Sequence, residues 1–269
     1  MFRMCFVVCL LFLSGISQAQ ILNADRFGVK VDSSKRFAGD IQFNFNLNQQ
    51  QTLITQFTTS GNLSYLAGRS LFILSNQQSF LRVDGTNALN IGFTHLRYRY
   101  RATSRFSPEL FAQIQFEGLR GLQRRILAGG NLRFQVLEEK HIGLALGLGA
   151  MFEQEDWTDS DVSDGETVPY GDHWCSSAPC QTNLVKVNQY LSLKWQIEES
   201  ITLDLTNYLQ FVPDRFAIYP RVATDVSVTF KIGKWIKYRV SYQGSFDPRP
   251  PVPTRLLYYS FSQGLGFSF

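Results

Sequence analysis

Hydrophobic and polar residues alternate along almost the whole chain from residue 38 onward. Ile41, Phe43, Phe45 and Leu47 interleave with Gln42, Asn44, Asn46 and Asn48. Ile201, Leu203, Leu205, Leu209 and Phe211 interleave with Thr202, Asp204, Thr206, Tyr208 and Gln210, and Leu257, Tyr259, Phe261, Leu265 and Phe267 with Ser260, Ser262, Gly264, Gly266 and Ser268. A period of two belongs to strands with unlike faces, because successive side chains of a strand point to opposite sides. Twelve such segments can be marked, at 38–48, 54–66, 69–81, 87–101, 108–118, 123–137, 140–153, 184–197, 200–212, 221–232, 235–246 and 255–269. Each exceeds the roughly 5 or 6 residues usual in soluble proteins and reaches the ~9 to 11 that a tilted strand needs to cross a bilayer. The even number suits a closed bacterial barrel.

The connections supply an independent test. Long ones fall at 154–183, 213–220 and 247–254, and short ones at 67–68, 138–139, 198–199 and 233–234, mostly on opposite ends of the strands. Residues 102–107 are a mild exception. Bacterial barrels have short periplasmic turns and longer outer loops. The chain is therefore predicted to be an all-β, twelve-stranded antiparallel transmembrane β-barrel over residues 38–269, its first strand rising from the periplasm.

Charge parity predicts what the polar face meets. Arg97, Arg99, Arg125, Arg133, Lys186, Lys194, Lys237 and Arg239 share the polar parity of their strands, against acids such as Glu117, Glu153, Asp204 and Asp225. Burying these charges in a small apolar centre would be prohibitive. The apolar face is thus expected to meet lipid, and the polar face a wet lumen lined by those bases. Their excess over the inward acids predicts a path that favours anions. Twelve strands lie between the about 8 that leave a filled interior and the 16 to 18 that enclose an aqueous channel, so a lumen closed by paired charges fits equally well.

Composition narrows the class further. Aromatic residues make up 14% of the chain, which excludes low-complexity disorder. Tyr98, Tyr100, Trp195, Trp235, Tyr238 and Phe269 fall near the short-turn rim, where an interfacial girdle belongs. No apolar run of about 18 residues follows the N-terminus, so a helical membrane protein is excluded. Lys+Arg 26 against Asp+Glu 22 gives a formal charge of +4, too slight and dispersed to point to nucleic acid.

Residues 1–19 read as a secretory signal: Arg3 precedes a short apolar core, and Ser17-Gln18-Ala19 supplies small residues before Gln20. Residues 20–37 then form an N-terminal periplasmic segment. A lipoprotein signal at Cys9 is disfavoured by Val8. Export leaves Cys175 and Cys180 in a compartment that permits a disulfide closing a small loop.

Candidate chemistry is sparse. Gly143, Gly147 and Gly149 share one parity of a strand with no helix behind them, so they suit relief of crowding inside a barrel rather than phosphate binding. His95 is inward, beside Arg97 and Arg99, and has the wrong parity and depth for a lipid-facing Ser-His dyad; His141 starts a strand, and His173 lies in the long loop. No Cys/His spacing suits zinc. The loop after Met151 carries Glu153, Glu155, Asp156, Asp159, Asp161, Asp164, Glu166 and Asp172 before the next cation, Lys186. Asp159, Asp161 and Asp164 are candidate ligands for calcium or for cations bridging lipopolysaccharide, although Ser163 breaks the calcium-loop spacing. No cofactor is expected.

Two resemblances follow from particular residues. The C-terminal strand, with Leu265, Phe267 and Phe269 on one face, resembles the signal that the barrel-assembly machinery reads in outer-membrane proteins. Four stretches resemble the uncharacterised family of salt-induced outer-membrane proteins: Gly92-Phe93-Thr94-His95-Leu96-Arg97-Tyr98-Arg99-Tyr100, Ser107-Pro108-Glu109-Leu110-Phe111-Ala112-Gln113, Arg125-Ile126-Leu127-Ala128-Gly129-Gly130-Asn131-Leu132-Arg133 and Gly143-Leu144-Ala145-Leu146-Gly147-Leu148-Gly149-Ala150-Met151. The resemblance covers residues from about 40 to 269 and implies fold and location, with no catalytic residues to carry over. The expectation is a monomeric, non-enzymatic protein of the Gram-negative outer membrane, in contact with lipid and lipopolysaccharide. It is either a narrow anion-leaning pore or an envelope element responsive to salt. The alternatives are an enzyme acting on lipid or lipopolysaccharide, and a surface receptor using the 154–183 loop.

Overall fold

The computed structural model describes residues 36–49, 53–83, 86–118, 121–158, 179–213, 219–252 and 255–268. Among these residues the strands are β1 (Phe37–Gln49), β2 (Leu53–Ala67), β3 (Ser70–Val83), β4 (Thr86–Tyr100), β5 (Phe106–Glu117), β6 (Leu122–Glu138), β7 (Ile142–Trp157), β8 (Cys180–Gln196), β9 (Ile201–Phe211), β10 (Arg221–Lys231), β11 (Ile236–Phe246) and β12 (Leu257–Ser268). Each pairs antiparallel with its chain neighbour, and β1 pairs with β12 through Ile41 and Phe267, so the sheet closes on itself. Closure removes the unpaired edges that an open sheet would leave. The predicted barrel is the observed one.

The two faces separate as the period-two pattern requires. Phe43 is 47% exposed and Phe267 50% exposed on the outside, while Arg97 is 2% exposed on the inside. At the end bearing the short turns the outward aromatics pair across strands, with ring centroids 4.5 Å apart for Phe37–Tyr65, 6.4 Å for Tyr65–Phe72 and 5.1 Å for Phe72–Tyr98. Phe106–Phe134 and Phe230–Tyr238 continue the row on other strands, and Tyr100, Trp195 and Trp235 are exposed at the same end. These rings form the expected girdle; Phe269 lies outside the described residues.

One boundary differs from the sequence reading. The strands β7 and β8 run on together to the pair Trp157–Cys180, so Glu153, Glu155 and Asp156 lie in a strand and not in the acidic loop. Period two continues there with Met151, Glu153, Glu155 and Trp157 inward. The outward partners Gln154 and Asp156 are polar, which broke the apolar half of the signal.

The small residues of β7 make room for side chains from other strands. A Cβ on Gly147 would run into the Tyr190 ring, and one on Gly149 would meet the backbone carbonyl of Gly130, which cannot move aside. Gly149→Ala is expected to destabilise the barrel by about 1–3 kcal/mol, seen as a lower temperature for loss of the folded band on a gel. Gly233→Ala, whose Cβ would meet nothing within 4 Å, is the control that should leave that temperature unchanged.

Candidate functional site: a charged lumen

The inward face is polar but closely packed, and its charges gather in layers along the barrel. Near the end bearing the long loops, Arg125 donates through Nε to Glu155 Oε1 at 2.7 Å, and Lys186 donates to Glu153. Arg221 ties both acids together, its Nη1 lying 2.9 Å from Glu153 Oε2 and 3.1 Å from Glu155 Oε1. Trp157 Nε1 donates to Glu155 Oε2 at 3.0 Å. These groups are buried, and a buried charge is tolerable only when its partners replace water. The strand pairing supplies Arg125 opposite Glu155 and Lys186 two register positions from Glu153, on the same face; Arg221 reaches them from β10.

The connection between β11 and β12 seals this layer. Proline-rich and predicted as a connection at the outer end, it turns into the barrel mouth, where Val252 is 1% exposed and packs with Leu122, Trp157 and Cys180. Asp247 latches it: Arg221 donates to Asp247 Oδ2 from Nε at 2.8 Å, and Asp247 Oδ1 accepts from the Arg249 backbone N–H at 3.1 Å. Burial and the nearby Glu155 push the Asp247 carboxyl up, but Arg221 and Lys186 outweigh them and hold it below the usual carboxylate range. The latch therefore contributes fully above the free carboxyl value of about 3.9 and weakens as pH falls through the lower folded value. Openings of the loop end are expected to become more frequent below about pH 4 in bilayer recordings made across a pH series.

A second layer crosses the lumen nearer the turn end. Arg99 Nε lies 2.5 Å from Glu109 Oε1, Arg97 Nη1 lies 3.7 Å from Glu109 Oε2, and Tyr190 donates to the same Oε2 at 2.8 Å. Arg133 Nη1 donates to the Tyr190 hydroxyl at 3.3 Å, and the Arg97 and Arg133 guanidiniums sit 5.8 and 5.9 Å from the Tyr190 ring centroid. Arg97 also donates to the Tyr208 hydroxyl at 3.5 Å, joining β4 to β9 on the far side of the ring of strands. Beside it, His95 Nδ1 lies 2.9 Å from Gln113 Oε1 and its ring stacks on Phe111 at 6.0 Å. A cavity of about 20 Å³ bounded by His95, Arg97 and Gln210 has room for about one water.

At the turn end, Arg239 Nη1 lies 3.9 Å from Asp40 Oδ2, and Lys194 Nζ lies 3.7 Å from Asp204 Oδ1. Lys237 points into the same layer, on the inward parity of β11. All the basic residues that sequence parity placed inside are thus inside. The reading missed Asp40, Glu109, Glu155 and Arg221, although each shares the inward parity of its strand. With these included, inward acids nearly match inward bases, and the cationic surplus is largest in the layer where Arg97, Arg99 and Arg133 surround Glu109.

The remaining sequence candidates separate. Glu153 and Glu155 hold arginine and lysine rather than a metal, and Asp159, Asp161 and Asp164 lie outside the described residues. Among the described residues no group of three His, Cys, Asp or Glu side chains could hold a metal ion. Cys180 is disulfide-bonded, and Cys175, its expected partner, lies outside the described residues.

Comparison with known proteins adds a family. The NanC porin shares 10% identity over 86% of this chain and 100% of its own, with a TM-score of 0.48. The COG4313 outer membrane channel from Pseudomonas putida F1 shares 9% identity over 93% and 99%, with a TM-score of 0.49. The KdgM porin in complex with disordered oligogalacturonate shares 11% over 86% and 99%, with a TM-score of 0.42. No curated protein matches the chain significantly. The family model described as protein of unknown function, DUF481, matches residues 27–269, so the chain belongs to that family.

Proposed function

We propose that this protein is a non-enzymatic channel of the outer membrane, narrow and anion-leaning, held shut at rest by polar side chains that meet across its lumen. In this reading the long loops face the cell exterior and the short turns the periplasm, as in other bacterial barrels. The observation that carries it is the layer joining Arg97, Glu109, Tyr190 and Tyr208 from β4, β5, β8 and β9. A barrel with only a structural task would be more stable with an apolar filling, since buried ion pairs seldom repay their desolvation. Strands β2, β3, β10 and β11 point the same way: Ser64, Ser75, Ser227 and Ser241 are buried with no hydrogen-bond partner on their hydroxyls among the described residues. Such groups cost stability unless water reaches them. A lumen that admits water intermittently accounts for both features.

The competing reading, a closed element of the envelope, is favoured by the inserted Val252 segment. Planar-bilayer recording separates the two. The channel reading expects small, infrequent, anion-selective steps, with selectivity moving toward cations in Arg97→Gln,Arg99→Gln because two charges leave the layer that crosses the lumen. Absence of current at every salt concentration and pH would leave the envelope reading standing alone.

A further inference from the structure

The turn end of the barrel is electrically lopsided. Following the ring of strands from the β10–β11 turn through the start of β1 to the β4–β5 turn, the exposed charged residues are Lys231, Lys234, Arg36, Arg69, Arg101 and Arg105. No exposed acid stands on this arc among the described residues, where Asp40 of β1 is buried in the lumen, and none of these cations is held in an ion pair with a described residue. The remaining arc, made by the β6–β7 and β8–β9 turns, carries Glu138, Glu139, Glu198 and Glu199 with Lys140 and His141. Opposite charges at this end are thus segregated rather than interspersed.

The depth of the basic arc is fixed by its neighbours. Arg36 precedes Phe37, Arg101 follows Tyr100, Arg105 precedes Phe106, and Lys234 precedes Trp235, with its Nζ 5.0 Å from the indole ring centroid. Those rings belong to the outward girdle, and aromatic girdles sit at the level of lipid headgroups. The cations therefore stand one residue from the headgroup plane, where a Lys or Arg near an anionic surface gains about 1 kcal/mol. Arg69 is brought to the same rim by the bond from the Arg101 N–H to its carbonyl at 2.9 Å.

We infer that this arc is a binding surface for anionic phospholipid headgroups, so that the barrel gathers an asymmetric lipid shell on one side of its turn end. The inference requires the membrane-spanning fold and is independent of whether the lumen conducts. Its test is native mass spectrometry of the full chain released from micelles of phosphatidylcholine mixed with phosphatidylglycerol. Retained lipid should be enriched in phosphatidylglycerol by about fivefold or more over the mixture, and the enrichment should fall as salt is raised. Replacing Arg69, Arg101, Arg105, Lys231 and Lys234 together by glutamine should return the ratio to that of the mixture. Replacing Glu138, Glu139, Glu198 and Glu199 by glutamine should not lower it. Both variants change exposed turns and are checked by the folded band on a gel; if the basic-arc variant fails to fold, the salt series on the unmodified chain decides. Wild-type retention at the bulk ratio, enrichment indifferent to salt, or full enrichment in a folded basic-arc variant would each overturn the inference.

Discussion

Arg221→Ala is expected to lower the unfolding free energy of the barrel by about 3–5 kcal/mol, the range seen when one member of a buried charge network is removed. The reason is what the substitution leaves behind. Arg221 contacts Glu153, Glu155 and Asp247, all largely shielded from water, and its loss strands carboxylates whose remaining cations are Arg125 and Lys186. A control separates charge from packing: adding Asp247→Asn to Arg221→Met removes one acid with the lost cation, leaves Arg125 paired with Glu155 and Lys186 with Glu153, and retains most of the volume. That double variant should recover more than half of the loss. Urea unfolding in vesicles measures both, and a loss below about 1 kcal/mol for Arg221→Ala would mean that water already reaches this layer.

The second large effect concerns the passage itself. Arg97→Ala,Tyr208→Ala removes the contact between β4 and β9 and should raise single-channel conductance roughly threefold or more, because the narrowest section sets the resistance of a pore. Glu109 would keep its contacts with Arg99 and Tyr190, so the barrel should still fold. Adding Tyr190→Ala should raise conductance again and weaken selectivity, since Arg133 would lose the hydroxyl that holds it against the layer. Unchanged conductance in the double variant would place the restriction elsewhere, with the Val252 segment the next candidate.

Much of the fold was legible because period two reports directly on which face a strand residue occupies. The strands, the closed barrel and the inward placement of Arg97, Lys186 and Arg239 all follow from that single signal. The charge layers were less legible, for a physical reason. Parity tells that Arg97 and Tyr208 face inward, but not that residues more than a hundred positions apart meet across the lumen. Glu109 and Glu155 were accessible to the same parity reading and were passed over, one near a proline at a strand start, the other inside a run of acids. The inward fold of the 247–254 connection was not legible, because proline-rich composition marks a connection without saying whether it stands clear of the barrel or folds into its mouth. Val252 enters because Leu122 and Trp157 leave an apolar seat there.

Blocking the lumen chemically is the most direct measurement. Tyr208→Cys places a thiol in the cross-lumen layer, while Leu203→Cys places one on the outward face of the same strand. Single-channel current through the Tyr208→Cys protein should fall to the closed level within the time a bulky charged thiol reagent takes to label it, and current through the Leu203→Cys protein should not change. Full labelling at Tyr208→Cys with undiminished current, or equal block at both positions, would contradict a conducting path through the Arg97–Tyr208 layer.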